Sequence, residues 1–240
     1  MSGQSVSGVK NVYFMRHGRA LTNTDYENLN YDEFMNFMLK RHDPALHIER
    51  NEITIPVKVD VIYPSSSRRA KESAELIQCH LAHPPIIDDS LEELADEVEF
   101  AASILSKGEF EERGGLKGCR DLILERWFNG ENVESIEQSI ERLNRLRDVL
   151  LKSKFSNILI ITHGWYLRLV CLCYTNKEIS LKNLRSVSRL NYGEVLRESL
   201  MYPQNLYSHD YENLVNALLN RRKGVSMPIA ITPELSSAKA

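Results

Sequence analysis

A large excess of charge of either sign is missing from this chain. With 30 basic and 33 acidic residues the formal net charge is −3, which gives no electrostatic case for a nucleic-acid partner or an anionic membrane surface. Cysteine is scarce: Cys79, Cys119, Cys171 and Cys173 are the only ones. They show neither the paired spacing of a metal site nor the density of a disulfide scaffold, so free thiols are expected. No apolar run approaches the roughly twenty residues needed to cross a bilayer. The start, Met1 to Gly8, is small and polar, without the apolar segment of a secretory signal. No repeat is present, and the carboxylates form no compact cluster with metal-ligand spacing. These absences predict a soluble, cytoplasmic protein with no metal and no cofactor, and any affinity for anions has to be built locally.

What is present is a design used twice. The apolar run Val12 to Met15 stops at Arg16-His17-Gly18, and Ile158 to Ile161 stops at Thr162-His163-Gly164. Each reads as a buried strand that delivers charged or polar groups at its carboxyl end, where open α/β sheets place their ligands. Either histidine alone is commonly a hydrogen-bonded structural residue. Together they carry more, because a neutral imidazole is a nucleophile near pH 7 and a neighbouring cation such as Arg16 helps keep it neutral. Such a group can attack phosphorus where other side chains neutralise the phosphoryl oxygens.

Between these strands, Val57 to Tyr63 alternates and is rich in valine, predicting a second strand. Ser65 to Ser67 can cap a following helix through Ala70, Ala74 and Ile77. That helix carries Arg68 and Arg69 in its first turn, where cations oppose the dipole, so an anion is expected nearby. A helix near 31–41, a short strand at 85–89, helical pieces around a glycine-rich break at 111–118, and an amphipathic helix over 133–152 follow from periodicity. The break is a candidate lid, and Trp127-Phe128 is either a substrate contact or helix packing. A strand over 157–162 and a helix over 165–175 form a β-α unit carrying His163. Residues 184–197 are expected to form a hairpin around Asn191-Tyr192-Gly193. One domain over 10–223 is expected, with loose ends at 1–9 and 224–240.

Arg16-His17-Gly18 followed by Asn23 resembles the first signature of the histidine phosphatase superfamily, phosphoglycerate mutase-like, in its branch 1. Ser65 to Ala74 is similar to that family's second segment, with Ser73 where threonine is usual, and Ile161 to Gly164 resembles its second histidine motif. Residues 43–56 depart from the helix that many relatives carry there. The resemblance implies a three-layer α/β/α sandwich around a mostly parallel sheet. It implies His17 as a nucleophile that becomes phosphohistidine, with His163 beside it, and phosphate contacts from Arg16, Asn23, Arg69 and Gly164. It also implies a glutamate acid after the third strand, which the match places at Glu93, with Glu92 as the fallback. Arg19 either adds to the phosphate field or faces water. The activity implied is metal-independent hydrolysis of a phosphomonoester on a small molecule or a phosphoprotein. A mutase-type phosphotransferase and a catalytically silent phosphate-binding module are the alternatives, and the acidic run from Asp96 to Glu112 weighs against the multiply anionic substrate of a mutase.

Overall fold

The computed structural model describes residues 10–21, 28–47, 58–175 and 177–187, with the backbone of 195–200, all within the compact unit Met1–Tyr202. Asn23 and the two expected loose ends lie outside the described residues.

The apolar runs 12–15 and 158–161 are buried on both faces, as parallel strands covered by helices on either side must be. They are β1 (Lys10–Arg16) and β4 (Asn157–Thr162), paired in parallel with Arg16 opposite Thr162. Beyond β4 lie β2 (Val61–Pro64) and β3 (Ile86–Ile87), both parallel, while β5 (Val195–Leu200) runs antiparallel along β1. The order is β3-β2-β4-β1-β5. On one face Tyr13, Met15, Ile62, Leu159 and Ile161 pack with Ala70, Ala74 and Ile77 of α2 (Arg68–His80). The alternate residues Val12, Phe14, Ile158 and Ile160 are equally buried. They face the second helical layer, in which α7 (Gly164–Tyr174) packs on β1 and α6 (Ile136–Lys152) packs on α7. After β2 the chain steps away from β1, and after β4 it steps past β1 to β5. The sheet order therefore turns between β4 and β1, and a crevice opens at their carboxyl ends.

The other helices are α1 (Tyr31–Met38), α3 (Glu92–Ala95), α4 (Lys107–Glu112), α5 (Leu116–Phe128) and α8 (Leu181–Ser186). Capping boxes start three of the helices: Asn30 with Glu33 before α1, Ser106 with Glu109 before α4, and Ser135 with Gln138 before α6. Each supplies acceptors for amides that the first turn leaves open. The α4–α5 break uses Gly114 (φ 71°) and Gly115 (φ 88°) in the left-handed region, which side chains disfavour. Among the described residues no helix is long and apolar enough to cross a membrane.

Several expectations are corrected. Helix α1 ends at Met38, and Lys40 takes a left-handed φ of 55°, so Lys40 and Arg41 do not occupy its last turn. Ser67 stands at the N-cap of α2 without a side-chain cap bond; Asp43 accepts from Arg68 N instead. Residues 181–186 are helical, which corrects the start of the expected hairpin, and β5 pairs antiparallel with β1; the expected turn at Asn191-Tyr192-Gly193 lies outside the described residues. Trp127 is fully buried and donates Nε1 to the Glu134 carbonyl, which makes it a core residue. The cysteines are free; Cys119 is buried, but Cys79 is exposed.

Candidate active site

The parallel register brings the two histidines together. Because Arg16 opposes Thr162, the next residues are neighbours, and His17 N donates to the Thr162 carbonyl at 3.0 Å. Side chains alternate along strands, so His17 and His163 point to the same face as Met15 and Ile161, the face covered by α2. Their ring centroids are 4.9 Å apart. Strand β2 continues the pattern, with Ser65 N donating to the Ile161 carbonyl at 2.9 Å, and the chain then enters α2 with Arg69 in its first turn. Arg16, His17, Arg69 and His163 are each at most 6% exposed.

Arg69 joins the two imidazoles. Its Nε donates to His17 Nε2 at 3.1 Å and its Nη2 to His163 Nδ1 at 3.0 Å. A guanidinium only donates, so both ring nitrogens are acceptors and the tautomers follow. His17 carries its proton on Nδ1, given to the Gly18 carbonyl at 2.7 Å, and holds a lone pair on Nε2. His163 carries its proton on Nε2, given to Ser65 Oγ at 2.7 Å. Burial, then the charge of Arg69 and the proximity of His17, hold the His163 imidazole well below its usual pKa, so it is neutral. Gly164 opens α7 directly after His163, and the Arg16 guanidinium lies against it; a Cβ there would stand 3.4 Å from Arg16 Nε. The amides at the start of α7 face an anion favourably. Ser73, at the position where the family pattern has threonine, accepts from Gly18 N at 2.9 Å and donates to the Arg69 carbonyl at 2.6 Å. It ties the turn after β1 to α2.

The acids are placed differently from the sequence expectation. Glu93 is on an exposed face of α3, and Glu92 pairs with Lys71 at 2.9 Å. Neither is brought to the histidines. Glu97 is: its Oε2 lies 3.7 Å from His163 Nδ1, and its side chain is 16% exposed. Burial pushes this carboxyl up to about 7, against the lowering pull of Arg69, the Val98 amide, Arg16 and the Tyr166 amide. The physical reason for the displacement is the short α3, which ends at Ala95. The chain then runs extended from Asp96, and Glu97 reaches the crevice. In the sequence, Glu97 was one of several acids in the run 96–99, with nothing to single it out. Asp96 stands beside it, 4.0 Å from His163 Nε2, and takes Lys40 Nζ and Ser66 Oγ, each at 2.9 Å.

Sequence reasoning also missed Phe37 and Asp43. The Phe37 ring lies 4.7 Å from Arg69 Cζ, and Asp43 Oδ1 accepts from Arg69 Nη1 at 2.9 Å. Helix α1 is set in place by Phe34, which stacks on Phe110 at 5.4 Å. Among the described residues no group of three or more His, Cys, Asp or Glu side chains is placed to hold a metal ion.

Comparison with known proteins agrees with this architecture. The profile of the histidine phosphatase superfamily (branch 1) matches residues 49–195, more than half of the chain, and spans Arg69, Glu97 and His163. A Hydrogenobacter thermophilus protein provisionally named phosphoserine phosphatase 2 is 28% identical over 145 residues, covering 57% of this chain and 64% of that relative. The chain thus spans less than two thirds of the relative's length. Among solved structures, the native mycobacterial glucosyl-3-phosphoglycerate phosphatase is similar with a TM-score of 0.51 at 13% identity, covering 80% of this chain and 91% of that one. The same enzyme in complex with VO3 gives a TM-score of 0.50 at 13% identity, covering 82% of this chain and 98% of that one. At this identity the likeness is one of fold: a three-layer α/β/α sandwich with a mostly parallel sheet, phosphoglycerate mutase-like. The chain belongs to the histidine phosphatase superfamily, branch 1.

Proposed function

We propose that this chain is a phosphomonoester hydrolase that works without a metal, through a phosphohistidine on His17. The observation that carries this reading is the single guanidinium edge of Arg69 set against both imidazoles, at 3.1 and 3.0 Å. Two oxygens of a bound phosphoryl group would take over the two bonds that the imidazoles accept from that edge, which frees the His17 Nε2 lone pair, and Arg16 and the start of α7 add positive potential around it. His17 attacks in line with its Nε2 lone pair, and the bond from phosphorus to the leaving oxygen breaks. Glu97 gives its proton to that oxygen, so the alcohol leaves neutral. The same carboxylate then takes a proton from water as the water oxygen attacks phosphorus, and phosphate and free His17 are regenerated. Glu97 takes the place of Glu93 in this role because its Oε2 lies 3.7 Å from His163 Nδ1, while Asp96 beside it is engaged by Lys40 and Ser66. Asn23 joins the phosphate contacts in this proposal on the family pattern.

The names of the similar proteins support a phosphorylated small molecule as substrate. The acidic run from Asp96 to Glu112 favours hydrolysis over mutase chemistry on a multiply anionic sugar acid. Free thiols at Cys79 and Cys119 fit a reducing, cytoplasmic setting.

The test is direct. Purified protein should release phosphate from p-nitrophenyl phosphate in EDTA. His17→Ala should lower the rate by on the order of 10³-fold or more. Rapid quenching should trap one phosphoryl group on the wild-type protein and none on the variant. Equal rates from the two proteins would remove His17 from the chemistry.

A further inference from the structure

We propose that Asp43 is a positioning residue, whose carboxylate turns the Arg69 guanidinium so that its Nε and Nη2 protons face the phosphoryl group. This rests on the phosphohydrolase reading above. A guanidinium has more than one edge that can fork an oxyanion, and rotation of the side chain decides which is offered. Here the choice is made from outside the histidine pair. Asp43 Oδ1 takes Nη1 at 2.9 Å, and the Phe37 ring lies against the guanidinium, 4.7 Å from Cζ. What remains is the Nε–Nη2 edge, and that edge meets His17 and His163.

The carboxylate is itself fixed. Its Oδ2 accepts from Arg68 N at the start of α2, supplying the cap that Ser67 does not. The segment around it is fastened on both sides. Lys40 pairs with Asp96 at 2.9 Å, Leu46 N donates to Glu72 Oε2, and Leu46 bridges to Ala20. Asp43 also places a negative charge at a helix start crowded with Arg68 and Arg69, where it offsets their unfavourable interaction with the dipole.

The experiment compares wild type, Asp43→Asn and Asp43→Ala in hydrolysis of p-nitrophenyl phosphate and in inhibition by orthovanadate. Asparagine retains an oxygen that can cap Arg68 N, so its unfolding midpoint should stay close to wild type, whereas alanine loses both bonds. Both variants should bind orthovanadate roughly tenfold more weakly, with kcat/KM falling in parallel. In an Arg69→Lys background, which has no fork to orient, Asp43→Asn should add nothing further. Unchanged vanadate affinity in Asp43→Asn would overturn the proposal. So would tighter affinity, which is the signature of a carboxylate that competes with substrate for Arg69. A wild-type protein that neither hydrolyses the ester nor binds vanadate would overturn the functional reading and this inference with it.

Discussion

Glu97 Oε2 and His163 Nδ1 lie 3.7 Å apart, at the point where the extended chain after α3 meets the start of α7. The contact puts a carboxyl that burial has raised to about 7 next to an imidazole that burial keeps neutral. A proton donor of that strength, close to a pair of histidines, has direct consequences for rate and for stability.

The first concerns the leaving group. Glu97→Gln should retain a rapid first turnover with p-nitrophenyl phosphate, whose product departs as an anion without a proton. It should then stall, because no base activates water against the phosphohistidine. With an alkyl phosphate the first turnover should itself slow by about 10²–10⁴-fold. Stopped-flow measurement of product and phosphate on both substrates checks this, and equal slowing on both would remove Glu97 as the acid.

Acid strength also sets the pH profile. Glu97 has to be protonated to donate, so kcat/KM in the wild-type protein should decline as the pH rises through about 7. The variant should lack that alkaline limb.

Stability should carry the same group with its own sign. The folded-state pKa of Glu97, about 7, is above the unfolded value of 4.5. The native state therefore binds more protons than the unfolded chain between these values, and stability falls as the pH rises through them. The neutral Glu97→Gln should be more stable than wild type at pH 8, by on the order of 3 kcal/mol at most, and about equal to it at pH 4. Urea melts at the two pH values measure the difference; a gain at pH 4 that is absent at pH 8 contradicts it.

Arg142 holds the segment that carries Glu97. It is paired with Glu134 at 2.9 Å, and its Nη1 donates to the Asp96 carbonyl at 2.7 Å and the Leu94 carbonyl at 3.3 Å. Arg142 is buried and Glu134 half-buried, with side-chain exposures of 10% and 14%. Arg142→Met leaves Glu134 uncompensated and should cost about 3–5 kcal/mol. Adding Glu134→Gln should recover part of that stability without restoring kcat, because the two carbonyls remain unanchored. Recovery of kcat along with stability would make Arg142 a purely structural residue.

Arg69→Lys should retain the charge and lose the fork. A fall in kcat/KM of roughly 10–100-fold is expected, with little change in unfolding midpoint. A lysine variant of wild-type activity would show that charge alone suffices at this position.

Local sequence was enough for much of this molecule. Apolar runs ending in His17 and His163, and a helix opening on Arg69 against its own dipole, marked the strands, the crevice and the three side chains that meet there, because strand burial and helix electrostatics act over a few residues. Periodicity located α2, α6 and β4 closely for the same reason. Other features depended on partners far along the chain. Residues 184–186 read as strand locally yet form part of α8, while β5 was drawn to the open edge of β1. Glu93 matched a pattern, but the end of α3 at Ala95 turned the chain so that Glu97 reached the histidines. Asp43, 26 residues from Arg69, and Phe37 carry no mark in the sequence, since what they do comes from proximity to one guanidinium. Sequence alone thus determined which chemistry the chain can hold, through the residue types that end its buried strands. Tertiary structure alone decided which carboxylates stand beside the histidines and Arg69, because burial and distance set the proton affinity of an acid and the orientation of an arginine, and both are properties of the packed chain.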